Sequence, residues 1–215
     1  MPLWQGRPAP EDDALLWWFL RDRSLDVPAS AEKLQRCLRW RREFRVETLG
    51  PERFPKELRT RKAYLHRHRD VAGRPVLVAV AQRHNILQRR LAESCQMCAW
   101  CLECALQRLE SAEPPQAAPV AGAAQPVEQA LAVLDLRGFS PLQADLEFAG
   151  FLVEALYNYY PGRFGRILLV EAPEVFAGFW DTVRPLLRGY AALAEFVTIE
   201  EARRYFAPGR APLDL

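Results

Sequence analysis

The chain has 215 residues, half of them hydrophobic, with a formal net charge of +2. That is enough for one sizeable core, or one core and a small helical appendage, and the charge is too small for a general nucleic-acid binder. No N-terminal apolar segment with a basic flank marks a secretory signal, and no apolar run approaches the roughly 18–20 residues of a membrane span, so the chain reads as cytoplasmic with reduced cysteines.

In chain order, Met1–Pro10 reads as a poorly ordered tail. Glu11, Asp12 and Asp13 supply acidic residues to the first turn of a helix, where they suit its dipole. The helix continues as ALLWWFLRD, apolar nearly all round, so something must bury it. Asp26 is placed to cap a second helix, with Pro28 in its first turn and Ala31, Leu34, Leu38 and Phe44 at helical spacing. A strand is expected over Lys62–Arg67, a turn at Gly73, and a strand over Pro75–Val80. His66 and His68 would share one strand face. Arg67 and Arg69 beside them disfavour a bound cation, so both histidines read as solvated.

Gln88–Glu110 reads as one long helix carrying Cys95, Cys98, Cys101 and Cys104. Steps of three residues rotate by about 300°, so the thiols drift across half the helix circumference and one metal ion cannot gather all four. Cysteine is a common small buried hydrophobe, and core or flank positions are expected. A metal or redox role is the weaker alternative.

Ser111–Gln129, rich in proline and alanine, reads as a flexible loop. Leu131–Leu136 is an apolar run broken by Arg137-Gly138. Asp145–Tyr160 has helical spacing and is stopped by Pro161. Ile167–Val170 is a second apolar run, closed by Pro173. Two such runs flanking a crossover helix predict a βαβ unit with parallel strands covered on both faces. The expected covers are Asp145–Tyr160 on one face and Glu174–Leu187 on the other. The latter is amphipathic, and its pattern alone is that of a core helix. Phe196–Thr198 is expected as the last strand. Thr198 and Glu201 form a capping-box pattern for a helix reaching Phe206. No GxSxG, HExxH, Walker A or GxGxxG motif occurs, and Asp135 at a strand end has no visible partner, so no enzyme is indicated.

Several blocks carry a family likeness: LWWFLRDRSLDV near the N-terminus, RWRREFRV at Arg39–Val46, VAGRPVLV at Val71–Val78, LDLRGFS at Leu134–Ser140, NYYPGRFG at Asn158–Gly165 and VEAP at Val170–Pro173. Together, in this order and spacing, they resemble the CRAL-TRIO family over about Leu16 to Phe206. The resemblance implies an α/β fold: a CRAL-TRIO-like sheet with flanking helices and a gate helix over an apolar pocket, preceded by a small N-terminal helical bundle. The implied division is 1–57 for the helical region and 58–215 for the lipid-binding domain, with the loop at 111–129 as a surface insertion.

The function implied is binding and transfer of a single hydrophobic ligand, a phospholipid by preference, with transient peripheral contact to a membrane surface. No cofactor, metal or nucleic acid enters this reading. Carried over residue by residue, the pocket floor falls on Ala132, Leu134, Leu156 and Tyr160, and the lid supplies Phe176, Trp180 and Val183. Phe176, Phe179 and Trp180 suit a membrane interface. Arg23 and Arg163 match headgroup-binding arginines. Gly162 replaces a glutamate, and Ala191 and Ala194 fall near a threonine and a lysine, which argues against selective phosphatidylinositol recognition. Trp18 stands where the family usually has arginine. The alternative is a protein-interaction module with a reduced pocket and a protein partner.

Overall fold

In the computed structural model, which describes residues 13–110, 127–212 and 215, five strands form one sheet whose spatial order equals their order in the chain. β1 (Ala63–Leu65) runs antiparallel to β2 (Val76–Val80); β2, β3 (Ala130–Asp135), β4 (Phe164–Val170) and β5 (Ala194–Val197) are mutually parallel. The hairpin between β1 and β2 closes on Asp70. Its carboxylate accepts from the Ala72 and Arg74 amides and from Arg74 Nε, while Gly73 takes a left-handed φ of 79°.

Side chains alternate across the strands as the period of two requires. Val76, Val78, Val80, Leu131, Val133, Leu168 and Val170 face one side, where α7 (Ile199–Arg203) and the turns after it supply Ala202, Phe206 and Leu215. Ala130, Ala132, Leu134, Ile167 and Leu169 face the other. That second face carries α4 (Leu91–Glu110), α5 (Leu146–Glu154) and α6 (Phe176–Leu187) together. The expectation that α5 and α6 cover opposite faces is therefore wrong. Strands laid down in sequential order, joined by crossovers of one hand, leave every connecting helix on the same side.

The predicted 145–160 helix also departs from expectation. Asp145 caps it, accepting from the Phe148 amide at 3.0 Å, but after Glu154 the chain winds into a π-helix over Ala155–Tyr159. Such single turns insert an extra residue and re-aim the side chains that follow. The capping box at Thr198 and Glu201 forms as expected, although α7 itself ends at Arg203.

α1 (Asp13–Asp22) and α2 (Val27–Phe44) precede the sheet. Asp26 caps α2, accepting from the Ala29 amide. α1 buries Phe19 but leaves Trp17 54% exposed. α2 buries Lys33 and Cys37 rather than Ala31. The tail at 1–10 and the loop positions 111–126 lie outside the described residues.

A buried polar chain ties α3 (Pro55–Thr60), β1, α4 and α5 together. Lys62 Nζ pairs with Glu57 and donates to Ser94 Oγ at 3.0 Å and to His84 Nδ1 at 2.9 Å. His84 Nε2 therefore carries the hydrogen and donates to Asp145 Oδ2 at 3.0 Å, and Arg89 grips the same carboxylate with two nitrogens. Burial, and then the Lys62 ammonium, lower the His84 pKa. Burial pushes Asp145 up, but Arg89, the Phe148 amide and His84 outweigh it and bring the carboxyl to about 2.

Both groups make stability fall with acid. The unfolded chain protonates His84 more readily than the fold does, so its contribution is complete above the ordinary value of 6.5 and erodes below it. The Asp145 contribution is complete above its ordinary 3.8 and is lost as pH falls toward about 2. Thermal unfolding followed from pH 8 to pH 3 is expected to show Tm declining from about pH 6.5 downward. Asp145→Ala, which leaves buried His84 and half-buried Arg89 without their shared carboxylate, is expected to cost about 3–5 kcal/mol in denaturant titrations.

Candidate functional site

The face beneath α6 gathers the apolar residues singled out from the sequence. Ala132 from β3, Leu156 from the π-helix, Tyr160 just after it and Phe176 from α6 belong to one cluster, with Leu134 of β3, Phe179 and Trp180 packed at its margin. Val183 lies next door, with Ala149 of α5 and Leu187, in a cluster that shares Phe179 and Trp180. Two aromatic residues complete the arrangement. Phe139 meets Phe176 edge-on at 5.1 Å and Phe179 at 5.5 Å, and Phe196 of β5, 54% exposed, meets Trp180 edge-on at 5.6 Å. Phe139 was visible within LDLRGFS as an apolar residue after a strand; nothing in the pattern placed Phe196 against α6.

Tyr160 sits at the polar floor of this cluster. Its hydroxyl donates to Glu103 Oε1 at 2.7 Å, and Arg41 of α2 clasps both oxygens of the same carboxylate. Complete burial, with Glu103 beside it, raises the phenol well above its ordinary range. Tyr159 stacks on Trp40 with ring centroids 4.0 Å apart and planes 5° from parallel. The turn that follows α5 thus meets the N-terminal helices through the Tyr159–Trp40 stack and through the Tyr160 hydrogen bond to Glu103, the α4 carboxylate that Arg41 of α2 pairs with.

Arg23 and Arg163, matched as headgroup residues, have different neighbours. Arg23 donates to the Tyr157 hydroxyl at 3.2 Å and lies 3.3 Å from Asp22. The Arg163 guanidinium lies over the Trp18 ring, 3.9 Å from its centroid, and the Trp18 indole donates to the Pro161 carbonyl. Gly162 adopts a φ of 65°, and its amide donates to the Tyr190 hydroxyl at 2.7 Å. Glu171, just after β4, accepts from the Ile199 amide.

Asp135, without a visible partner in the sequence, is clasped by Arg137 two residues on. His66 is buried rather than solvated. β1 ends at Leu65, and the His66 ring nitrogen meets the Arg210 carbonyl at 2.8 Å. Among the described residues no group of three or more His, Cys, Asp or Glu is arranged to hold a metal ion. The cysteines are free thiols dispersed between clusters, Cys98 against the apolar face under α6 and Cys101 with Phe54 and Met97. Burial raises Cys37, Cys95 and Cys104 to about 11, Cys101 to about 12, and Cys98 further.

Comparison with known proteins bears on this site. The family model of the CRAL/TRIO domain matches residues 58–192. A SEC14 cytosolic factor of Yarrowia lipolytica is 30% identical over 86% of this chain and 38% of its own length. A SEC14 cytosolic factor of Kluyveromyces lactis is 29% identical over 82% of this chain and 60% of its own. A protein of Eremothecium gossypii named phosphatidylinositol transfer protein CSR1 is 25% identical over 94% of this chain and 46% of its own. The chain thus spans only part of the length of these relatives. The crystal structure of Sfh5 superposes with a TM-score of 0.62 at 15% identity, covering 88% of this chain and 65% of the other, a likeness of fold.

With their pKa values raised by burial, the thiols of the native protein at pH 8 are expected to react with a disulfide reagent on the order of a hundredfold more slowly than free cysteine. All five should react promptly once the protein is unfolded. A thiol titration read by absorbance checks both.

Proposed function

The chain belongs to the CRAL/TRIO domain family, and from that premise we propose that it binds one hydrophobic ligand, a phospholipid by preference, and moves it between membranes. α6 is the gate in this reading, and the apolar face beneath it is the ligand's berth. The carrying observation is that Ala132, Leu156, Tyr160 and Phe176 form one buried apolar cluster, with Leu134 packed against it, on the face that α6 covers. α6 closes that face chiefly with aromatic and aliphatic side chains, so a bilayer offers its stripe an equivalent environment.

The energetics favour a gated carrier. A diacyl lipid with about 30 chain carbons loses roughly 0.8 kcal/mol per methylene on entering water, a total on the order of 20 kcal/mol. Exchange through bulk water is then too slow to matter, and the lipid must pass directly between bilayer and berth. Phe176, Phe179 and Trp180 would enter the interface as the gate swings, with Phe196 beside them. Residues 1–57 would brace the lipid domain at 58–215 through Arg41 and Trp40. No helix among the described residues is long and apolar enough to cross a membrane, which suits a carrier that meets bilayers from the aqueous side.

The headgroup is the narrower part of the proposal. Trp18 occupies one face of the Arg163 guanidinium, and Gly162 contributes only backbone. Selective phosphatidylinositol binding is therefore not expected. Native mass spectrometry followed by lipid extraction should find one lipid per chain. Donor-to-acceptor vesicle assays should show transfer that falls at least about tenfold in Trp180→Asp, a charge that neither the closed face nor a bilayer interior accepts. An empty protein that takes up no lipid from mixed vesicles would replace this reading with the protein-interaction module.

A further inference from the structure

The segment that carries α6 is bracketed by two non-glycine residues at positive φ, Glu171 and Arg188, each at 50°. Arg188 caps α6 with φ 50° and ψ −129°, a combination that residues other than glycine adopt only when their surroundings force it. What surrounds Arg188 is specific. Its guanidinium lies over the Tyr157 ring, 4.7 Å from the centroid. Two further cations address the same phenol: Arg23, which donates to its hydroxyl, and Lys33, whose ammonium lies 4.5 Å from the ring centre. Against these three cations stands Asp22, 2.5 Å from Lys33 and 3.3 Å from Arg23. Arg188 forms no salt bridge among the described residues and is exposed. The cluster holds an excess of positive charge, presented at the exact point where α6 ends.

We propose that Arg188 is a strained latch on α6, and that a phosphate group competes with Tyr157 for its guanidinium and thereby frees the helix. The proposal rests on the reading of α6 as a gate and adds what releases it. A ring face attracts an exposed guanidinium weakly, whereas a phosphate oxygen pairs with it by charge-assisted hydrogen bonds, so the exchange favours phosphate. Once Arg188 leaves Tyr157, nothing holds its backbone in the glycine-like conformation, and relief of that strain drives α6 outward. Phosphates line every phospholipid surface, so the latch would open where the cargo is exchanged and stay shut in solution. The selecting chemistry is the phosphate anion, supplied by lipid headgroups or by free phosphate.

The test is amide hydrogen exchange of peptides spanning residues 176–190 in the full chain, which requires neither bound lipid nor transfer and so is independent of the carrier assay. Wild type in potassium phosphate, compared with potassium chloride at equal ionic strength, is expected to exchange about two- to fivefold faster across α6, the range of one exposed cation–π contact. Arg188→Ala loses the guanidinium but keeps a Cβ, so its closed state bears the same backbone penalty with no latch to offset it, and it should exchange fast in both salts. Arg188→Gly loses guanidinium and strain together, and should exchange no faster than wild type in chloride, without a phosphate response. Phosphatidylcholine vesicles should accelerate wild type and monogalactosyldiacylglycerol vesicles, which carry no phosphate, should not. A response to vesicles alone assigns the trigger to lipid headgroups; a response to both assigns it to phosphate as such. Wild type indifferent to phosphate and to phosphatidylcholine, Arg188→Ala as protected as wild type, equal effects of the two vesicle types, or acceleration that extends equally to β3 and β4 would each overturn the latch.

Discussion

The order of the strands governs this molecule. Because β2, β3, β4 and β5 lie side by side in the order they are made, α4, α5 and α6 have no choice but to share one face of the sheet. That face becomes a deep, helix-walled apolar layer, while the opposite face is closed by a five-residue helix and the turns that follow it. The thick helical cover, and the apolar cluster it closes over, therefore lie on one side of the sheet alone.

Within that layer, polarity is confined to places where it is fully answered. Glu103 accepts from Arg41 and Tyr160, and Asp145 is held by His84 and Arg89. Removing one partner from such a set leaves a buried charge exposed to its apolar surroundings, a larger cost than the set's own net contribution. These ties fix α2, α4 and α5 to the sheet. α6 has nothing comparable. Its contacts are rings, methyl groups and the Arg188–Tyr157 stack, which are weaker singly and indifferent to whether their neighbours are protein or lipid.

Much of this was legible in the residues. The two apolar runs and the crossover between them gave β3, α5 and β4, and Asp26 and Thr198 announced the helices they cap. The apolar candidates came together because alternation along a strand and spacing along a helix decide which side chains can meet. What escaped the sequence was of another kind. The shared face of α5 and α6 depends on strand order, which no local pattern encodes. The burial of His66 depends on a carbonyl 144 residues away. The stacking of Arg163 on Trp18 replaces a polar contact by a ring, and a single substitution does not reveal where the ring will lie.

The π-helix at Ala155–Tyr159 acts on the helix as a frameshift acts on a message. One surplus residue in the turn rotates everything downstream by about 100° relative to a continuous α-helix. Three tyrosines close together then serve three separate clients: Tyr157 meets the cations at the end of α6, Tyr159 meets Trp40, and Tyr160 meets Glu103. A chain shortened by one residue here would keep its strands, yet deliver each ring to the wrong neighbour. The length of this turn is therefore a coordinate in its own right, which brings the cover helix, the N-terminal helices and the buried carboxylate into one register.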